Sequence, residues 1–494
     1  MNTPLFRNQY IISNSAMDEL ENFHSFQFCR LFVQIEKQLR FAISDGRAAR
    51  ILMIGFAFDS LFPEMTMQQI ADELADFEVG TDDFFKYLQS ITGRYAIFVG
   101  QSDLELVVGD ACMFRQVLIG SHHNSEVYTS SLKLFYQQFE TELHSTDVIN
   151  QLVTHPDYKR NECASYSPQE IDARFKRLIP NHCYHVKRKE IARVKFFWNS
   201  SLKSDDDCLT AGYAMLKNSY QALLKDYVPY QPLTAGIDSR ILLAASKEFQ
   251  QSVNYYLFNF NNKSSDVDST VASQIASDLK LNFRLITPSE IRPDFAELFA
   301  KEHVVPRILD KTRCIQYHFD HHRDKNILNI NGNGGEIFRY YYGYSKHAVR
   351  PERLYYYSHY WRRFELLEES ISAWYTEAGP FAKQQQIYLL DLFYWELKMG
   401  TWGAQYPLEQ DIAIEEYSPF NNKEFILTML QIEPRKRKMP QSIASKLFIE
   451  KAWPELNRYP VNPAANPLKK KLMDVVHGSS FLVYLAFRYR HLLS

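Results

Sequence analysis

Between residues 227 and 330, extended segments rich in aromatic and β-branched residues alternate with segments of helical period. Strands are predicted over 227–233, 253–260, 283–286 and 327–330. Helices are predicted from Ser239, over 267–279 and in the stretch before 327. Strands separated by helices cannot close as hairpins, so the alternation predicts a parallel, doubly wound sheet. Within 267–279, Val267, Val271, Ile275 and Leu279 recur every four residues as one buried stripe, and Ser265 or Asp266 can cap its start.

Upstream the pattern is different. Residues 27–130 read mostly as strands, notably 51–58, 95–99 and 104–108, the last two joined by a hairpin turn at Gly100-Gln-Ser-Asp103. Met67, Ile70, Leu74 and Phe77 place one helix within 65–88. This is an α+β unit with an antiparallel sheet. Ser204-Asp-Asp-Asp207 is an acidic, cap-like start to a helix running to about Lys225, which puts the boundary near 200–205 and gives units 1–204 and 205–494. Beyond 345 the chain reads as a helical, aromatic extension containing Tyr355-Tyr-Tyr357, Tyr360-Trp361 and Trp395.

The charge balance, 56 Lys plus Arg against 58 Asp plus Glu, creates no bulk attraction to nucleic acid or anionic lipid, so neither is expected as a partner. Six scattered cysteines with no CxxC pair suggest a reduced, cytoplasmic setting. The late apolar run 481–487 is too short to span a bilayer, although with Arg488, Arg490 and His491 it could touch a partner.

Glycine is scarce, at 17 in 494 residues, so each glycine turn is informative. The stretch Gln231-Pro-Leu-Thr-Ala-Gly-Ile-Asp-Ser239 takes a strand end into a helix start, where unpaired N–H groups and the helix dipole favour an anion. Thr234 and Ser239 add hydroxyls, Gly236 adds conformational freedom, and Asp238 could ligate a Mg²⁺ bridging phosphates. The same residues also read as a plain corner with Asp238 as N-cap. No Walker A lysine follows. A second strand ends in Asn329-Ile-Asn-Gly-Asn-Gly-Gly-Glu336, with three glycines in four residues. In a parallel sheet both turns lie on the ligand-binding edge, where Asp238 and Glu336 could share a metal.

Thr234-Ala-Gly-Ile-Asp-Ser239 resembles the Ser-Gly-Gly-x-Asp-Ser loop of the asparagine synthetase family, and Gly332-Asn-Gly-Gly-Glu-Ile-Phe338 resembles its Gly-x-Gly-Gly-Asp-Glu-Leu-Phe segment. In the same order, Ser418-Pro-Phe-Asn-Asn-Lys-Glu-Phe425 is similar to its Val-Pro-Phe-Leu-Asp segment, and Ser445-Lys-Leu-Phe-Ile-Glu-Lys-Ala452 to its Thr-Lys-Tyr-Leu-Leu-Arg-Glu-Ala segment. More loosely, Gly93-Arg-Tyr-Ala-Ile-Phe98, Val108-Gly-Asp110 and Arg115-Gln-Val-Leu118 resemble its glutaminase-like domain. The resemblance implies an N-terminal Ntn-type glutaminase-like domain followed by an ATP-pyrophosphatase domain. The implied chemistry is adenylation of a small-molecule or peptide carboxylate with ATP and Mg²⁺, then transfer to an amine. Thr234, Ala235, Gly236, Asp238, Ser239, Gly334 and Gly335 would hold the phosphates. Asp238 and Glu336 would hold Mg²⁺, Leu257 and Phe258 would flank adenine, and Lys446 would stabilise charge during activation.

Three departures qualify that resemblance. The chain opens Met1-Asn2-Thr3 where glutamine-using members present a cysteine, and the nearest cysteine, Cys29, falls inside a predicted strand, so glutamine hydrolysis is not expected. The amine is then free ammonia, a second substrate, or a group within the same molecule, as in β-lactam synthetases and lasso-peptide cyclases. Asn333 replaces a glutamate, and an amide is a poor base, which leaves Tyr340, Tyr341, Tyr342 and Glu396 as candidate proton acceptors. Ala235 replaces a glycine, a strained choice if the position needs positive φ. A nucleotide-binding or scaffold homologue without chemistry is the rival reading. His318 with His321 or His322 has spacing that can bind zinc but reads as an exposed helix end, and Arg435-Lys-Arg-Lys438 could attract a phosphorylated or acidic substrate but reads first as a solvated loop.

Overall fold

Twelve strands build the N-terminal part of the computed structural model: β1 (Tyr10–Ser13), β2 (Phe23–Phe28), β3 (Leu31–Glu36), β4 (Phe41–Asp45), β5 (Arg50–Asp59), β6 (Ile91–Gly100), β7 (Leu104–Gly109), β8 (Leu118–His122), β9 (Ser125–Thr129), β10 (Phe175–Arg177), β11 (His182–His185) and β12 (Glu190–Arg193). The structure describes residues 5–323, 326–342, 350–360, 362–463, 475–476 and 479–489. Met1, Asn2, Thr3, Asp324, Trp361, Arg490 and His491 lie outside them.

The strands form two six-stranded antiparallel sheets, ordered β10-β8-β9-β1-β3-β2 and β12-β11-β7-β6-β5-β4. Period-two alternation decides what each sheet buries. On β5, Leu52 and Ile54 face a core shared with Tyr10, Val33 and Ile35 of the other sheet, whereas Ile51 and Met53 face a second core with Ile70 and Leu74. The helices Met67–Asp76 and Asp82–Ser90 cover that outer face, and Leu132–Gln138 covers the outer face of the other sheet. The layers therefore run helix, sheet, sheet, helix.

Two expectations are corrected here. The single helix within 65–88 is two helices. The first ends at Phe77, Gly80 adopts φ 75° in the linker, and Thr81 caps the second by accepting from the Phe84 N–H. Cys29 is not inside a strand but in the tight turn between β2 and β3, at φ 46°. Burial pushes its thiol up to about 11, leaving little thiolate at neutral pH.

The second sheet system is wholly parallel: β13 (Val228–Pro232), β14 (Asn254–Phe258), β15 (Phe283–Ile286), β16 (Ile327–Ile330) and β17 (Glu415–Tyr417), in the order β15-β14-β13-β16-β17. Numbered by their own sequence this is 3-2-1-4-5, which reverses direction between β13 and β16. Tyr255 and Leu257 of β14 join the core with the helices Asp205–Leu223, Ile237–Ala245 and Ile443–Ala452. Tyr256 and Phe258 face the other side, against His318 of the helix Thr312–His322. Ser204 caps Asp205–Leu223 through a reciprocal capping box with Asp207. The helix expected over 267–279 starts earlier, at Lys263, so Ser265 and Asp266 lie inside it rather than capping it.

A buried ionic cluster joins the two parts. Arg94 of β6 grips both oxygens of Asp411 at 2.5 and 2.7 Å and reaches Glu415 at 3.0 Å, while Arg115 pairs with Glu415 at 2.6 Å. Asn421 donates to Gly93 O and to Asp110 Oδ1 and accepts from the Cys112 N–H. All six cysteines are buried and unbridged. Among the described residues no helix is long and apolar enough to cross a membrane.

Candidate functional site

The loops after β13 and β16 stand on either side of the point where the strand order reverses, at the carboxyl ends of the strands. The first loop enters the helix Ile237–Ala245 with Gly236 as N-cap and no side-chain cap, so the first-turn N–H groups have no intrahelical or capping partner. Its internal bonding is dense. The Thr234 and Ser239 hydroxyls are 2.8 Å apart, the Gly236 N–H donates to Thr234 Oγ1, and Ser239 Oγ donates to the Thr234 and Gly236 carbonyls. The Ala235 N–H already serves an anion, the Asp268 carboxylate, at 3.1 Å.

Two readings of this loop change. Gly236 sits at φ −70°, ψ 157°, which any residue adopts, so conformational freedom is not its role; a Cβ there would lie 3.0 Å from Thr234 Oγ1, which would have to shift slightly. Ala235 is fully buried and lies outside the left-handed region, so replacing glycine causes no backbone strain. Below the loop, the buried Arg240 guanidinium donates to the Tyr459 and Pro460 carbonyls, and the Asn462 N–H donates to Ala235 O. These contacts fasten a segment more than 200 residues downstream to the loop.

The second loop is pinned from β17. The Asn329 and Asn331 side-chain amides donate to opposite oxygens of Glu416, and Ser418 Oγ donates to Asn333 O at 2.6 Å. Burial pushes Glu416 up to about 7, with the two amides opposing. Gly334 takes φ 91°, open to glycine and strained for other residues. A Cβ at Gly335 would lie 2.9 Å from Asp238 Oδ1, and one at Gly332 3.1 Å from Asp238 Cβ, so the glycines let the two loops close on each other.

Asp238 and Glu336 are brought together, but by a residue that sequence reasoning passed over. Arg339, at the end of the 3₁₀ turn Ile337–Arg339, places Nη2 2.9 Å from Asp238 Oδ2 and 3.2 Å from Glu336 Oε1. Burial pushes Asp238 up to about 7; Arg339 opposes the rise and Glu336 adds to it. Asp238 Oδ1 is buried without a partner among the described residues. The donor set does not fit the expected carboxylate-held Mg²⁺, because a guanidinium already bridges the two carboxylates. Mg²⁺ arriving on a nucleotide is substrate, not a resident ion.

Other expected residues are scattered. Lys446 is exposed on the helix Ile443–Ala452, which packs against the helix carrying Asp238. Leu257 is in the core, and Phe258 packs edge-on to Tyr317 and His318. Tyr342 is buried with its hydroxyl donating to Tyr357 O, whereas Tyr341 is half-exposed and 4.8 Å from the Tyr394 ring. Burial raises the Tyr394 hydroxyl well above its ordinary value, with Glu336 adding to the rise.

Glu396 does not join Asp238, Glu336 and Arg339. It lies fully buried in the π-helical stretch Tyr394–Gly403, accepts from Trp374 Nε1 at 2.7 Å and Asn181 Nδ2 at 3.2 Å, and pairs with Arg193 of β12. A carboxylate so committed is a structural tie between the two parts, not a free base. Glu396→Ala is expected to cost about 3–5 kcal/mol of stability by stranding Arg193. Urea unfolding checks this, and a loss under about 1 kcal/mol would return Glu396 to the list of bases.

His318 and His322 are buried, not exposed, with their Nδ1 atoms 2.9 Å apart. Among the described residues no group of three or more His, Cys, Asp or Glu is arranged to hold a metal. No family model matches the chain, and no curated protein matches it.

Proposed function

We propose that the chain is an ATP-dependent, AMP-forming ligase that joins a carboxylate to an amine, built from an Ntn-type glutaminase-like unit and an ATP-pyrophosphatase unit. The observation that carries the reading is the meeting of the two loops at the reversal point of the 3-2-1-4-5 sheet, where open-sheet proteins bind ligands. The resemblance of both loops to asparagine synthetase segments supplies the chemistry. The helix–sheet–sheet–helix layering of the N-terminal part supports the first unit.

In this reading the uncapped start of Ile237–Ala245 and the Thr234 and Ser239 hydroxyls receive the leaving pyrophosphate. The substrate carboxylate oxygen attacks the α-phosphorus, pyrophosphate departs, and the amine displaces AMP from the acyl adenylate. Lys446, extended from its helix, meets charge developing on the phosphate. Phe258, at the carboxyl end of β14, borders adenine, while Leu257 supports the strand from the core.

Isotope exchange between pyrophosphate and ATP, screened across amino acids, uronic acids and peptides, tests the proposal and separates sugar-acid amidation from peptide macrolactam closure. Exchange is expected with one class, and Asp238→Asn should reduce it by roughly two orders of magnitude. Unchanged exchange in that variant would remove the loop from the active site.

One observation favours a second reading, nucleotide binding without chemistry: both acids that resemble metal ligands are already paired to Arg339. It predicts ATP binding with no exchange for any acid.

A further inference from the structure

We propose that Arg339 is the resident cation of the phosphate site, so that nucleotide is held there without a carboxylate-bound divalent ion. This rests on the nucleotide reading above and deepens it.

The two carboxylates that would chelate a metal are clasped by one nitrogen of one guanidinium, at 2.9 and 3.2 Å. A divalent ion placed between them would lie against a like charge in a partly buried setting, where repulsion is weakly screened. The glycine loop also closes on Asp238, since a Cβ at Gly335 would lie 2.9 Å from Oδ1 and one at Gly332 3.1 Å from Cβ, which leaves little room for an ion on that side.

Arg339 keeps unused capacity. Its Nε has no partner among the described residues, and its side chain is 13% exposed, so part of the side chain reaches the surface. A guanidinium is planar, permanently charged and shaped for two-point contact with phosphate oxygens, the task a metal would otherwise perform. Asp238 and Glu336 thereby become positioning residues that orient Arg339. No bond is made or broken by Arg339 in this proposal; it binds and neutralises.

The test is calorimetric titration of ATP into the full chain, once in EDTA and once in magnesium chloride. The wild type is expected to bind in both, with dissociation constants within about threefold. Arg339→Met should weaken binding in EDTA by roughly tenfold or more, the loss of a charge-assisted hydrogen bond. It should also make Mg²⁺ restore part of the affinity, because the two carboxylates are then free. Arg339→Lys keeps the charge and should still bind in EDTA, which decides the matter if the methionine variant does not fold.

Wild-type binding seen only with Mg²⁺ would overturn the proposal, as would Arg339→Met binding ATP in EDTA as tightly as the wild type. Absence of ATP binding in both buffers would instead overturn the nucleotide reading itself.

Discussion

Asp411→Ala is expected to lower the unfolding free energy by about 3–5 kcal/mol, the penalty for stranding a buried charge. Arg94 and Arg115 are each 1% exposed, and Asp411 takes both terminal nitrogens of Arg94 while accepting from Gln9 Nε2. Among the described residues, removing it leaves Glu415 as the one acid in a salt bridge with the two guanidiniums. Arg94 and Asp411 are more than 300 positions apart, so the loss should fall on the contact between the N-terminal sheets and the parallel sheet. Urea unfolding followed by tryptophan fluorescence should show it, and a loss below about 1 kcal/mol would contradict the assignment. Arg94→Met combined with Asp411→Leu should recover much of the loss, because an apolar pair has no charge to desolvate.

The second large effect concerns pH. Burial pushes the carboxyls of Asp238, Glu302 and Glu416 up to about 7. In the unfolded chain they titrate near 4, so between about 4 and 7 the folded state binds more protons. Their contribution is fully present below about 4 and is lost as pH rises through 7. Burial has the opposite sign for His182, lowered to about 4, and for His303 and His318, lowered to about 3. Those residues contribute stability above about 6.5 that is lost as pH falls. The two sets act in opposite directions between about 4 and 6.5, so each offsets part of the other in the wild type. Glu416→Gln should expose one of them: relative to the wild type it should gain on the order of 3 kcal/mol between pH 4.5 and 7. Urea unfolding at both pH values measures this, and a difference independent of pH would show that Glu416 is ionised in the folded state.

Much of the parallel sheet was legible because its strands are local and aromatic or β-branched. The bounds of β15 and β16 follow from residues 283–286 and 327–330 alone. The paired glycine turns were visible because glycine is rare in this chain. β17 was not, since Glu-Glu-Tyr has no strand signature and is held by pairing with β16 and by partners on distant segments. The break at Gly80 was missed because apolar residues continue at helical spacing across it. Arg339 left no mark, as a single cation after a turn has neither period nor motif; only the fold shows which acids it meets. Glu396 was misread for the converse reason, because a buried acid beside tyrosines looks the same in sequence whether it is free or paired.

β17 carries two neighbouring acids with separate duties. Glu415 faces Arg94 and Arg115, while Glu416 faces Asn329 and Asn331 beneath the glycine loop. Since successive strand residues point to opposite sides, a slip of one position would turn both acids to the wrong side and part each from its partners. The register of this short edge strand is therefore held from both sides at once. One short strand thus carries both the ionic contact with the N-terminal sheets and the amide contacts that pin the candidate loop.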